Sequence, residues 1–258
     1  HHRLLPRLGA SLRLGTGRAL HWAWQESVRA PGTHTLSPVA TGAIAVDNQY
    51  LLTGSYARKH AVQLDWEASP TTFWAASLSG QRISNLVAAN GRLFAQNTGA
   101  LFDNVATIAP VVLNAQTTLN TYEETPLFGQ GQLAQATVSV NHLLGPRWSV
   151  LGSYTHTTSH NTGAGLEGRW LPGFARHVVL GQTTWRHEAR SFSLLRLTWR
   201  GMRYSDEANT VQRAPGWSLA LAHGWESQDR RWSFTGTVQT GLRTGERPTL
   251  WALVRYRD

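Results

Sequence analysis

From Trp217 to Trp225 large and small side chains alternate: Trp217, Leu219, Leu221, His223 and Trp225 share one face, while Ser218, Ala220, Ala222, Gly224 and Glu226 take the other. The next segment repeats the pattern, with Trp232, Phe234, Gly236 and Val238 against Ser233, Thr235, Thr237 and Gln239. Only Ser227-Gln228-Asp229-Arg230-Arg231 lies between them, which reads as a hairpin connection. A period of two is the mark of an extended strand with two unlike faces. The alternation predicts strands at Leu8–Leu14, Ala19–Glu26, Arg58–Trp66, Thr71–Ser79, Leu133–Leu143, Trp148–Thr157, Arg176–Arg186, Ser191–Arg203, Trp217–Ser227, Arg231–Gly241 and Pro248–Arg257. Within 80–130 the pattern is least regular; Leu86–Phe94 and Val111–Leu119 are further strand candidates, broken by Asn90-Gly91 and Pro110.

The connections alternate between tight turns, such as Gly15-Thr16-Gly17 and Gly145-Pro146-Arg147, and long polar stretches, of which 29–56 is the first. In water an aromatic stripe on a sheet has to be buried against a second layer, whereas a barrel in lipid can leave that stripe outward and keep small and polar side chains inside. Short turns alternating with long loops are the habit of outer-membrane barrels. The expectation is an all-β protein, an antiparallel transmembrane β-barrel or a portion of one, of about eleven to thirteen strands. Residues 1–258 are expected to form a single barrel domain or barrel portion.

No run of about 18 apolar residues is present, so a spanning helix is excluded. The mean hydropathy of -0.30 does not exclude a barrel, because half of each spanning strand is polar. Twelve Trp and six Tyr are many for 258 residues. Those near predicted strand ends, Trp22, Trp24, Trp66, Trp74, Trp148, Trp199, Trp217, Trp232 and Tyr256, are the candidates for interfacial girdles. The formal charge of +9, almost all from arginine, suits a polyanionic membrane surface such as lipopolysaccharide, or an anionic solute. The arginines form no basic block, and no nucleic-acid motif is visible. Arg13, Arg58, Arg196, Arg200 and Arg255 fall within predicted strands and are expected to point inward or to sit at the rims, since each would cost about 2–4 kcal/mol at the bilayer midplane. Arg196 and Arg200 share a face with Thr198 and are the candidates for lumen-facing cations.

Candidate chemistry is sparse. The absence of cysteine excludes disulfides and thiolate metal sites. His156 and His160 are four apart, a spacing that aligns ligands on a helix and not along a strand, so no metal site is expected, and no cofactor. Glu123 and Glu124 are adjacent, which points them to opposite faces of an extended chain. No P-loop, nucleophile elbow or zincin motif occurs, and an enzyme is not expected. The chain opens on His1-His2-Arg3 just before strand-like sequence and carries no secretion signal, as expected of a chain that begins after processing or in mid-protein.

Several stretches resemble the C-terminal half of the barrel in TonB-dependent outer-membrane receptors. They are Pro6-Arg7-Leu8-Gly9, the Arg29-Ala30-Pro31 close of the next strand, Leu52–Trp66, Trp148–Thr158, Leu171–Leu180, Arg203-Tyr204-Ser205-Asp206, and Glu246-Arg247-Pro248 through Tyr256. The resemblance covers most of the chain through short motifs in the family's order. It implies energised uptake of a scarce ligand such as a ferric siderophore, held by external loops and the inner wall. It also implies a plug domain and a TonB-contacting segment outside this chain. The family's barrel has 22 strands and usually finishes on an aromatic residue, where this chain finishes on Arg257-Asp258; a portion of a receptor or a smaller relative is therefore expected. The loops expected to carry ligand contacts are 29–56, 80–110, 157–173 and 204–215, with Arg82, His156, His160, Tyr204 and Asp206 as candidates. The rival readings are a smaller stand-alone outer-membrane pore or export channel, and a soluble all-β binding module.

Overall fold

A computed structural model describes residues 4–28, 40–45, 55–84, 128–188, 190–229, 231–241 and 248–256. Its strands in chain order are β1 (Arg7–Gly15), β2 (Arg18–Val28), β3 (Ala40–Thr41), β4 (Ile44–Ala45), β5 (Tyr56–Ser69), β6 (Thr72–Ser84), β7 (Gln130–Leu143), β8 (Trp148–Asn161), β9 (His177–Glu188), β10 (Ser191–Arg200), β11 (Arg203–Tyr204), β12 (Gln212–Arg213), β13 (Gly216–Glu226), β14 (Trp232–Gly241) and β15 (Thr249–Tyr256). Eleven of them form one antiparallel meander in the order β1-β2-β5-β6-β7-β8-β9-β10-β13-β14-β15. The pairs β3-β4 and β11-β12 are two-residue ribbons inside long connections. The protein is all-β, as the alternation predicts; Leu86–Phe94, Val111–Leu119, Glu123 and Glu124 lie outside the described residues.

Register carries the sequence pattern from strand to strand, with shifts at the tight-turn ends of β1, β5 and β10 and none along the body of the strands. Leu20 lies opposite Leu64, which lies opposite Ala76, and the row continues through Val138, Tyr154, Val179, Trp199 and Trp217. A shift by one residue anywhere would exchange the faces of everything that follows, so the apolar stripe itself fixes the pairing. All nine girdle candidates fall on this apolar face, and Trp185 and Trp225 join them. At the end with the tight turns the rings face one another across strands. Trp66 is opposite Trp74, Trp148 stacks on Trp185 at 5.2 Å and 6°, Trp225 is opposite Phe234, and Trp232 meets Tyr256 at 4.7 Å. Most of these side chains are exposed, and among the described residues no second layer covers them.

The other face is small and polar and curls inward. Residues of that face from β1 through β9, among them Arg13, Asp65, Ser77, Ser139, Ser153 and Gln182, line one cavity of about 1420 Å³. The sheet is not closed among the described residues: β1 and β15 pair only with β2 and β14. Eleven antiparallel neighbours place β1 and β15 in the same direction, so an all-antiparallel closure takes an odd number of further strands.

Three expectations need correction. The strands are longer on the loop side than the alternation suggests, since β6 continues to Ser84 and β8 to Asn161; the first residues of the expected loops 80–110 and 157–173 are ladder. At Thr157–Asn161 the residues of both faces are polar, and at 80–84 the contrast is reversed, with Ile83 on the inner face and Arg82 on the outer, so period two no longer marks the strand although hydrogen bonding continues. The expected strand Ser191–Arg203 ends at Arg200, and Arg203 and Tyr204 pair instead with Arg213 and Gln212 in the β11-β12 ribbon. The connection 29–56 is not wholly external either. Its β3-β4 hairpin lies on the polar face of β1, β2 and β5, where Ile44 packs with Ala23 and Ala61. Gly42 and Ala43 both take positive φ there, 55° and 66°, as a two-residue hairpin turn of the primed type requires. Gly9 is needed below it, because a Cβ at that position would lie 2.7 Å from the Gly42 Cα.

Candidate functional site

The interior of the sheet divides into two levels. Toward the tight turns the polar face is open and lines the cavity with hydroxyls, amides and a few charges. Hydrogen bonds cross the strands at this level and above it. Ser11 Oγ meets His21 Nδ1 at 2.9 Å, His21 Nε2 meets an Asp65 carboxylate oxygen at 3.2 Å, and Gln63 Nε2 donates to the other at 2.8 Å. Thr137 and Thr155 share a hydrogen bond of 3.0 Å, and Gln135 Nε2 donates to Thr157 at 3.3 Å. Each chain ties neighbouring strands through their inner side chains, which suits a face whose groups lose part of their water.

Toward the long loops the interior is filled. Ala57, Ile83 and Leu133 of β5, β6 and β7 pack with Phe128, Leu171 and Phe174, which come from connections and not from the sheet. Phe128 and Phe174 meet edge-on at 6.1 Å. Leu171 and Phe174 belong to the 162–176 connection, which the 201–215 connection holds in place. Trp170 N donates to Asn209 Oδ1 at 2.8 Å, Asn209 Nδ2 donates back to Trp170 O at 2.9 Å, and Gly173 N donates to Tyr204 O at 2.7 Å. Glu207 Oε1 accepts from Gly129 N at 3.0 Å and from Asn161 Nδ2 at 2.8 Å, and Arg169 donates to Ala208 O. Trp170 stands at 90° to Tyr204, and the Arg176 guanidinium lies over the Trp170 ring at 4.5 Å. Two loops thus form one packed unit over the interior.

The sequence candidates scatter over this frame. Tyr204 and Asp206 sit in the loop unit. Asp206 is engaged by its own turn, accepting from Val211 N at 2.8 Å, Thr210 Oγ1 at 2.7 Å and Thr210 N at 3.0 Å. These bonds, the one from Val211 above all, hold its carboxyl below the usual aspartate range. Arg82, His156 and His160 lie on the apolar face, not on the face that lines the cavity. The register places Arg82 opposite Arg58 and Gln132, and Gln132 opposite His160. His156 sits beside His177, whose Nδ1 meets Tyr154 Oη at 2.8 Å. Arg196 and Arg200 lie on the polar face, and Arg196 Nε donates to Gln182 Oε1 at 3.0 Å. Arg13 is on the polar face too, while Arg58 is at the loop-side end of the apolar face, paired with Glu26 at 2.8 Å. The Arg255 side chain lies outside the described residues. No group of three or more potential metal ligands occurs among the described residues.

Sequence reasoning missed Asn209, which joins the two loops, and Glu207, which ties the second of them to Gly129 and Asn161. Asn209 adopts φ 57°, a conformation asparagine enters more readily than most residues, so its place in a turn was readable. Its partner, 39 positions earlier in the chain, was not.

No family model and no curated protein matches the chain. Solved structures do match. Against the ferric yersiniabactin uptake receptor FyuA from Yersinia pestis the TM-score is 0.54 at 11% identity, over 96% of this chain and 35% of that one. The siderophore receptor PiuA from Acinetobacter baumannii gives 0.50 at 11%, over 97% and 35%. The FpvAI–pyocin S2 complex gives 0.50 at 11%, over 98% and 33%. The chain spans about a third of the length of the structures it matches. At that identity the likeness is one of fold: the eleven-stranded sheet follows the course of a part of those structures.

Proposed function

We propose that this chain is part of the wall of an outer-membrane receptor barrel that takes up a scarce ligand, a ferric siderophore or similar metal chelate, across the membrane. The observation that carries the reading is the unbroken apolar row and its aromatic rims, carried in register across the sheet, backed by a polar face that lines a cavity. Trp217 and Trp225 stand one residue inside either end of the eleven-residue strand β13, which matches the roughly 9–11 residues a tilted strand uses to cross a bilayer. Hydrocarbon tails are the cover that such a face takes when no second protein layer is present.

The polar face lines the lumen in this reading, with Arg196 and Arg200 among its cations. The packed loops 162–176 and 201–215 form part of the external vestibule, where Tyr204 is the better placed ligand contact, because the oxygens of Asp206 already hold the turn. The plug domain and the TonB contact are supplied by sequence outside this chain. The need for an odd number of further strands favours a larger wall over a barrel made of these eleven alone.

The test has two parts. Outer-membrane fractions should contain the protein in a form whose gel mobility changes on heating, and cells carrying it should accumulate a ferric chelate only while the inner membrane is energised. Recovery in the soluble fraction with shielded tryptophans would overturn the barrel. Uptake indifferent to energisation would leave a passive pore in place of a receptor.

A further inference from the structure

The apolar face changes character at one place. At the loop-side end of β2, β5, β6, β7 and β8 the register aligns Glu26, Arg58, Arg82, Gln132 and His160 in a single outward row. Glu26 answers Arg58, with 2.8 Å to Nη2 and 3.0 Å to Nε, so the row keeps a positive charge through Arg82. Directly toward the tight turns the next row holds Gly80 and Ala134, and a Cβ built on Gly80 would meet nothing within 4 Å. Together they form a depression of about 380 Å³ between Arg58, Arg82, Gln132 and His160 on one side and Gly80 and Ala134 on the other. One row farther, Leu78 is 64% exposed and Val62 40%. Cation, small floor and oily slope follow one another along the strand axis.

That gradient matches an amphiphile with an anionic head and acyl tails lying against the wall. On the proposed membrane reading, on which this inference rests, the long loops face outward, so the row lies where the headgroups of the outer leaflet begin. We propose that the Arg58–Arg82–His160 row is a binding site for a phosphate-bearing glycolipid of the outer leaflet, held by its headgroup phosphate on Arg82 and by its acyl chains along Leu78 and Val62. Guanidinium is suited to the phosphate because its planar fork donates two parallel hydrogen bonds. The site is local: among the described residues of the sheet strands β9, β10, β13, β14 and β15, no arginine or lysine lies on the apolar face, where Trp199 and Trp217 hold the corresponding rim. The cation on that face at the opposite rim, Arg18, is covered by the Trp66 ring at 5.0 Å.

The protein extracted from outer membranes in mild detergent should retain this glycolipid through washing, as counted by native mass spectrometry. Arg82→Gln should lower retention about fivefold, the loss expected for one basic residue at an anionic lipid surface. Arg82→Lys, which keeps the charge and loses the fork, should fall between Arg82→Gln and the unaltered protein, and Arg18→Gln should leave retention unchanged. Excess inorganic phosphate should fail to displace the lipid, since the tails contribute. Retention unaltered by Arg82→Gln, an equal loss in Arg18→Gln, or displacement by inorganic phosphate alone would each overturn the site while leaving the barrel standing. Absence of the protein from the outer membrane would overturn both.

Discussion

The two faces of this sheet are made from alternate residues of the same strands, yet they are held together differently. On the apolar face the cross-strand contacts are rings and branched chains: Trp148 on Trp185, Trp232 on Tyr256, Leu195 opposite Leu221. On the polar face they are hydrogen bonds that pass from side chain to side chain, as in Ser11, His21, Asp65 and Gln63. The contrast teaches what each face meets. On the function proposed above, the exposed rings meet hydrocarbon, and the polar groups that face each other around the cavity meet water or one another. A second contrast runs along the strand axis: the polar face is open toward the tight turns and packed with Leu171, Phe174 and Phe128 toward the loops.

The sharpest way to break the comparison is to exchange the faces at mid-strand. Leu221→Arg is expected to cost about 2–4 kcal/mol in folding from urea into lipid vesicles, while Ser139→Arg on the cavity wall costs about 1 kcal/mol or less. Equal costs would mean that the two faces meet the same surroundings. Next in size is the hairpin tucked onto the polar face. Gly42→Val would place a Cβ 2.5 Å from Trp22 O in a residue already at positive φ, and is expected to cost about 1–3 kcal/mol. The same vesicle titration reads it, and an unchanged midpoint would show that the hairpin contributes nothing to the folded wall.

Asn209→Ala removes the reciprocal pair with Trp170 and is expected to loosen the loop unit by about 1–2 kcal/mol. The expected readout is faster proteolysis within 162–176 and 201–215, with the wall itself unchanged. The smallest effect concerns acid. The turn bonds depress the Asp206 carboxyl, so the stability it lends is fully present above the ordinary aspartate range and is lost as pH falls through that range toward the depressed value. Loop proteolysis should therefore rise below about pH 4, and Asp206→Asn should raise it at neutral pH and flatten the profile.

Legibility in the sequence followed contrast. Strands such as Trp217–Trp225, where large apolar residues alternate with small or polar ones, were readable almost to the residue, and β13 runs from Gly216 to Glu226. Where both faces are polar, as at Thr157–Asn161, the alternation vanishes and the ladder reads as loop in the sequence. That the nine aromatic candidates share one face is readable because position parity alone assigns a face, although Trp22 stands mid-strand in β2 and not at its end. Arg82, His156 and His160 are polar residues near loops, and parity puts them on the face of the tryptophans.

By itself, then, the sequence determined the element type, the two-faced character of each strand and the alternation of turn and loop, because these depend on neighbours one or two positions away. Tertiary structure alone decided that 40–45 returns to the inner face, that 162–176 and 201–215 interlock, and that Arg58, Arg82 and His160 form one row. Those outcomes depend on residues brought together across strands, where the accumulated register and the side chains available at the meeting point settle the contact.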